Sequence, residues 1–458
     1  MADPTSPRPD PTPAVPGIRA SLSRRDVLKG MAAAAAVASV PAIIAACSPS
    51  TGGGGSAAPA GSSGAGAVTG SLTFGSNYSN KDTDTKAMQA VVDAFTKKTN
   101  IAVKVNTVDH NTFQKQISSY LQGTPDDVFT WFAGYRMRTY AKQNLAGDLS
   151  DIWTKISSNY ADAFKQASTG DDGKQYFIPF YNYPWVVVYR KSVFADKGYS
   201  IPKTWTEFKA LGDKMKTGGF EAPIAFADKD GWPAMGTFDI LNMRLNGYKF
   251  HVDLMAGKEK WADPKVKAVF DAWKELLPYL QTGALGRTWQ EAATGLVNKK
   301  TGMYFLGTFA GQQATKKEDH DDLDFFPFPT MGTQFDSELG IDAPIDGFML
   351  SAKAKNVDQG KAFLEYLATG AAQKVFLDVT PNNVAAAKDA DTSNYDAFQK
   401  KSAEIISGSK AIAQFLDRDT KPEFADEMIK KLQSFLNNPN QDLTAFTDGI
   451  QKFWDSLS

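Results

Sequence analysis

The sequence predicts an α/β fold for the chain beyond about Ser71, and three observations predict it. Apolar periodicity switches between 2 and 3.6 from one segment to the next, strand-like and helix-like segments alternate, and several helices open on recognisable caps. Residues 71–76 read as a strand. Residues 86–99 read as a helix with Ala87, Met88, Val91, Val92 and Phe95 on one face, closed by Asn100. Residues 101–108 alternate apolar and polar, the pattern of a half-buried strand. A helix over 112–122 carries Phe113, Ile117, Tyr120 and Leu121, and 127–132 is a short buried strand. That order implies a largely parallel sheet with right-handed crossovers.

A second unit begins near Pro184, with an apolar strand over 185–189. Thr204-Trp205-Thr206-Glu207 is a capping box, in which the Thr and Glu side chains each satisfy the other's free backbone N–H; it opens a helix to about Lys216. Asp263-Pro264 opens another, with Asp as N-cap and Pro at the first turn, and Val266, Val269, Phe270 and Trp273 face the core. Residues 298–306 contain a strand, and 324–329 are extended and broken by proline. A helix over 358–368 points Ala362, Phe363, Tyr366 and Leu367 inward, and two amphipathic helices, 422–436 and 443–457, end the chain. There is no internal repeat.

The length of 458 residues fits two or three domains, and 42% hydrophobic with 22% charged residues suits a soluble body with a core. Net charge is −1; residues 1–46 hold five basic and three acidic groups, so without them the chain carries −3. No basic excess remains to pair with phosphates, which excludes nucleic acid as a partner. Cys47 is the single cysteine, so neither an internal disulfide nor a cysteine-based zinc site can form. His110, His251 and His320 make no HxxxH-type pair, and no metal or cofactor is expected, although a site built of carboxylates alone stays open. The acidic run Glu318–Asp322 lacks the glycine and terminal glutamate of a calcium loop and reads as solvated. The folded part holds no GxSxG, HExxH or P-loop, and no catalytic residue is assigned.

The first seventy residues read as an address. Arg24 and Arg25, in Ser23-Arg24-Arg25-Asp26-Val27-Leu28-Lys29, resemble the twin-arginine export pattern, with Val27 where Phe is usual. The apolar stretch 30–46 is shorter than the roughly 20 residues that span a bilayer. It ends in Ile44-Ala45-Ala46-Cys47, which resembles a lipobox whose cysteine thiol receives lipid. Residues 1–46 are therefore read as an export signal, and 47–70 as a lipidated cysteine on a flexible Gly/Ser/Ala/Pro tether. The expected location is extracytoplasmic, anchored to the outer face of the cell membrane by two or three acyl chains. Twin-arginine export implies that the body folds before it crosses.

Several further segments carry a resemblance. Gly123-Thr124-Pro125-Asp126-Asp127-Val128 is one, and the segment from Tyr140 to Leu149, with Asn144 where Gly is usual, is another. Ile178-Pro179-Phe180 followed by Val188-Tyr189-Arg190-Lys191, Pro202-Lys203-Thr204-Trp205-Thr206-Glu207-Phe208, Asp346-Gly347-Phe348 and Ala362-Phe363-Leu364-Glu365-Tyr366-Leu367 complete the set. In this order, from about Ser71 to the C-terminus, they resemble the family 1 extracellular solute-binding proteins, the maltose-binding-protein-like class. The resemblance implies a two-lobed periplasmic-binding-protein-like fold of type II, with a ligand cleft between the lobes. The expected lobes are 71–182 with 327–380 and 183–326 with 381–458, hinged near Pro179, Pro184 and 325–329. It also implies a monomeric, non-enzymatic binding component of an ABC importer that delivers its ligand to the permease's transmembrane subunits.

A mono- or oligosaccharide is the expected ligand, because aromatic rings cover a pyranose face while carboxylates and amides bind its hydroxyls. A polyamine or other amine is the alternative, since its pockets also combine aromatic walls with carboxylates. A glycoside-active enzyme would need two carboxylates at a defined separation. Open α/β sheets bind ligands beyond the carboxyl ends of their strands. Candidate contacts on that rule are Asn77, Trp131, Tyr181, Trp185, Trp232, Trp289, Phe309, Asp346 and Phe348; Asp126 is a further candidate, with capping of the next element as its alternative role. Trp205, Trp261 and Trp273 sit on helical faces or starts and read as core. Asn77-Tyr78 stands where many sugar binders have Trp, and Phe309 where Trp is common.

Overall fold

A computed structural model describes residues 68–409 and 411–457; Arg24, Arg25 and Cys47 lie outside the described residues. The strands are β1 (Gly70–Ser76), β2 (Ile101–Thr107), β3 (Val128–Phe132), β4 (Ile178–Asn182), β5 (Trp185–Arg190), β6 (Ala222–Ala225), β7 (Thr301–Gly307), β8 (Leu323–Phe326), β9 (Ile341–Asp342), β10 (Ile345–Leu350), β11 (Val384–Ala385) and β12 (Ile412–Ala413). They form a large sheet in the order β11-β4-β10-β3-β1-β2, a smaller sheet β6-β7-β5-β8, and a ribbon β12-β9. Each sheet is the centre of one lobe.

The large sheet is parallel through β1, β2 and β3, and antiparallel where β10 sits between β3 and β4. Leu72 and Phe74 point from β1 into a core closed by helices Asp84–Thr99 and Val357–Leu367, with Phe95 and Phe74 at 4.9 and 5.5 Å from Phe363 between ring centroids. The first helix buries the five apolar residues expected of it and stops at Asn100, whose φ of 57° breaks the helical path. Asn144, where the resembling family has Gly, likewise takes φ 57°, in the left-handed region that asparagine tolerates better than other side chains.

The smaller sheet is covered on both faces; every residue of β5, β6 and β7 is buried. Helix Trp205–Lys216 begins with the expected capping box, Thr204 and Glu207 satisfying each other's N–H. Helix Pro233–Asn246 approaches β5 closely at Gly236, where a Cβ would lie 2.5 Å from the Trp185 ring.

The chain crosses between the sheets three times, and two crossings differ from expectation. The first lies at Tyr183–Pro184, between β4 and β5. The return, expected at 327, comes after β9: Phe328 packs on Phe208 at 5.5 Å, and Arg244 of the second lobe binds the carbonyl oxygens of Phe328 and Gly340. The proline-broken run continues the second core instead of leaving it. The last crossing, expected at 381, falls after Asp389. β11 still pairs with β4, and Lys388 and Asp389 still bond to Asn159 of the first lobe. The acidic run also differs from a solvated loop: Asp319 and Asp322 bind the buried guanidinium of Arg190 at 2.9 and 2.8 Å.

Candidate ligand-binding site

β1 lies between β2 and β3, so the chain leaves its carboxyl end toward both sides of the sheet. Such a switch point opens a crevice, and the fold places the candidate site there. Asn77, Tyr78, Ser79 and Asn80 follow β1 directly, and Thr130, Trp131 and Phe132 end β3 beside them. From the second lobe Trp232, Trp289 and Phe309 face them across a cavity of about 130 Å³. Asp346, at the start of the antiparallel β10, and Arg418, in the short helix Leu416–Asp419, complete it at the crossings.

The two walls differ in chemistry. The second lobe's wall is aromatic: Phe309 meets Trp289 edge-on at 5.0 Å and Trp232 at 6.0 Å. Trp185 stands one layer behind, against Trp232 at 6.2 Å and Phe415 at 4.5 Å, and locks the wall in place. Trp289 follows the N-cap Thr288, whose capping box with Glu291 fixes the start of its helix.

The first lobe's wall is mixed: Asn77, Asp84, His110, Gln114 and Asp346 stand among Tyr78, Trp131, Phe132 and Tyr181, and Arg418 reaches it from the last segment of the chain. The Arg418 guanidinium donates to Asp346 at 2.7 Å and to the Tyr183 hydroxyl at 3.3 Å, and lies 3.9 Å over the Phe132 ring. Burial pushes the Asp346 carboxyl up and Arg418 offsets part of this. Burial would lower Arg418, but Asp346, Tyr183 and Asp417 outweigh it and hold the guanidinium charged. Arg136 donates to Gln114 Oε1 at 2.7 Å, which leaves the Gln114 amide nitrogen to donate to His110 Nε2 at 2.7 Å. The proton of His110 is thereby assigned to Nδ1. Burial, and then Arg418, push His110 down to about 4, so it is neutral at pH 7. Asp84 keeps an accessible edge on the cavity, yet enough protein covers it that burial pushes its carboxyl up to about 6.

Seven of the ten residues expected from sequence line the cavity: Asn77, Trp131, Tyr181, Trp232, Trp289, Phe309 and Asp346. Three do not. Asp126 precedes β3 and so sits at the opposite end of the strand, where it accepts from Asn106 at 2.6 Å and Tyr120 at 2.8 Å. Phe348 lies two residues deeper along β10 than Asp346 and packs on Phe74 and Phe180 at 5.8 and 5.0 Å. Trp185 supports the aromatic wall from behind. Sequence reasoning missed Asp84, His110, Gln114 and Arg418. Asp84 and His110 open the helices that follow β1 and β2, and Gln114 lies one turn into the second, the position that the carboxyl-end rule favours. Arg418 lies more than 70 residues from Asp346, and no local pattern announces it.

The arrangement can grip a small polar molecule that has one flat apolar face, and its parts define a two-lobed binding protein. Comparison with known proteins agrees. Residues 79–374 match the family described as bacterial extracellular solute-binding protein, and residues 21–41 match the twin-arginine translocation signal sequence. The chain belongs to the bacterial extracellular solute-binding protein family, a family of receptors and not of enzymes. An ABC transporter extracellular-binding protein of Pyrococcus horikoshii is 28% identical over 334 residues, which cover 71% of this chain and 74% of that protein. The diacetylchitobiose binding protein of Streptomyces coelicolor is 28% identical over 59% of this chain and 64% of its own. A solved structure of the bacterial solute receptor AcbH, described as exclusively preferring β-D-galactopyranose, is 46% identical. It superposes with a TM-score of 0.82 over 85% of this chain and 99% of that one. A chitin oligosaccharide binding protein shares the fold at 22% identity, with a TM-score of 0.75 over 84% of this chain and 98% of its own.

Proposed function

We propose that this protein captures a single monosaccharide, a hexopyranose of the galactose class, for an ABC importer. The observation that carries the reading is the pairing, in one cavity, of flat aromatic surface, Trp232, Trp289 and Phe309 on the second lobe, with a charge-fixed polar cluster around Asp346 and Arg418. A pyranose presents an apolar face and a belt of hydroxyls, which this pairing matches. Each stacked ring contributes about 0.5–1.5 kcal/mol beyond burial, and each hydrogen bond to a charged group roughly 1.5–3 kcal/mol. The cavity of about 130 Å³ has room for a sugar ring between the two lobes. Arg418 is bonded to Asp346 at the cavity wall, which takes that carboxylate away from an amine. The 46% identity to a receptor described as preferring β-D-galactopyranose supports the same ligand class.

Ligand touches both walls only when the lobes close, so it shifts the population toward the closed form, which the permease then reads. We place the protein, as a monomer, outside the cytoplasm on the outer face of the cell membrane, held by lipid on Cys47. Mass spectrometry of the membrane fraction tests the anchor: an acylated N-terminal Cys47 is expected, and an unmodified, freely released chain contradicts it. A thermal-shift panel tests the ligand. A hexose at about 100 times its dissociation constant adds about 2.7 kcal/mol of stability. A response confined to trisaccharides, or to amines with strong salt dependence, contradicts the reading.

A further inference from the structure

Outside the cleft, the second lobe buries two carboxylates and an imidazole together. Asp239 lies on helix Pro233–Asn246, His251 on helix Tyr248–Met255, and Asp342 on β9. All three are wholly inaccessible. One donor atom from each lies within 4.8 Å of the other two, and Asp239 Oδ1 stands 4.0 Å from His251 Nε2. Among the described residues, no protein group hydrogen-bonds to Asp239 Oδ1, His251 Nε2 or either carboxylate oxygen of Asp342. Four unpartnered polar atoms converging in one buried place is a costly arrangement for a protein interior. The nearby arginines act on Asp342 through their charge but make no hydrogen bond to it. Arg244 donates to the Phe328 and Gly340 carbonyl oxygens, and Arg418 to Asp346 and Tyr183.

We propose that Asp239, His251 and Asp342 form a structural site for one first-row divalent cation of the Zn²⁺ or Mn²⁺ type. Two carboxylates neutralise the ion, and imidazole nitrogen favours these metals over Ca²⁺ and Mg²⁺, which prefer oxygen alone. Bonds of roughly 2.0–2.2 Å require the donor atoms to draw together by about 1 Å. Asn242 supplies the second contact of the imidazole, 3.1 Å from His251 Nδ1. At present Asn246 donates to Asn242 Oδ1 and to the Lys265 carbonyl oxygen, which turns the Asn242 amide nitrogen toward the ring. Metal on Nε2 needs hydrogen on Nδ1, so loading turns the Asn242 amide to present Oδ1, with Asn246 following. The remaining Asp239 oxygen already accepts the Leu416 N–H at 2.9 Å, at the head of the turn that carries Arg418. The ion would thus join two helices, the returning strand and the Arg418 turn. With no accessible donor atom, it must enter during folding, before twin-arginine export.

The test is metal analysis of the mature chain purified without chelator, then unfolding and refolding with EDTA, Zn²⁺, Mn²⁺, Ca²⁺ or Mg²⁺. The expected result is close to one Zn²⁺ or Mn²⁺ per chain. Refolding with EDTA should lower Tm by several degrees, and Zn²⁺ or Mn²⁺ alone should restore it. Asp342→Asn and His251→Gln should each abolish retention and the Tm response. Less than a tenth of an ion per chain, with the same Tm under every refolding condition, would overturn the proposal.

Discussion

Arg418 and Asp346 meet at 2.7 Å where the crossings converge, one on the turn after β12 and the other at the start of β10. The pair closes the end of the cavity and ties the first sheet to the last crossing. Removing one partner leaves a buried charge alone. Arg418→Met is therefore expected to cost about 3–5 kcal/mol in calorimetric unfolding, and the double variant Arg418→Met/Asp346→Leu much less. Sugar affinity should fall in both, since each lacks the charge-fixed wall.

Trp232 presents an accessible edge of the aromatic wall to the cavity. Trp232→Ala should weaken sugar binding at least tenfold, about 1.4 kcal/mol, in calorimetric titration. The unfolding midpoint of the free protein should move little.

Trp185 is the control for that result. Its ring is 1% exposed, wedged among Gly236, Phe305 and Phe415. Trp185→Ala should destabilise the free protein by about 3–5 kcal/mol through the cavity it leaves. Measured as a ratio of affinity loss to stability loss, the two tryptophans should separate cleanly.

Asp228 lies buried under the Trp232 loop, where it accepts the Ala234 N–H at 2.9 Å. Burial pushes its carboxyl up to about 7 from an ordinary 3.8. A group raised in the folded state favours folding while protonated. Its contribution is complete below pH 4 and is lost as pH rises through 7, at most about 4 kcal/mol. Asp228→Asn should flatten the fall in Tm between pH 5 and pH 8, and an unchanged slope would contradict the assignment.

Asn144 takes a positive φ between the turn after helix Tyr135–Lys142 and the residues that join β10. Asn144→Ala should cost about 1 kcal/mol in chemical denaturation, while Asn144→Gly should be close to neutral.

The elements that were legible in the sequence are those whose periodicity or caps are local. The helices at Asp84–Thr99, Trp205–Lys216 and Pro264–Leu276 show one apolar face each, and the last two declare their starts. Helix Pro233–Asn246 was not legible, because it is buried from Pro233 through Arg244 and shows no amphipathic stripe. The site followed the same rule. Residues at or just beyond the carboxyl ends of strands, such as Trp131 and Asn77, could be placed by strand direction. Asp126 was misplaced because it precedes its strand, and Phe348 because a two-residue step along β10 moves a side chain from cleft to core. Arg418 depends on three crossings between sheets, which no local pattern encodes.

The direct test of the central reading is a calorimetric titration of the mature chain with D-galactose and related hexoses, followed by recovery of the sugar. The expected result is one sugar per chain, a dissociation constant near micromolar (about −8 kcal/mol), and sugar returned unaltered. Saturation by no hexose, or a recovered sugar chemically changed, would contradict it.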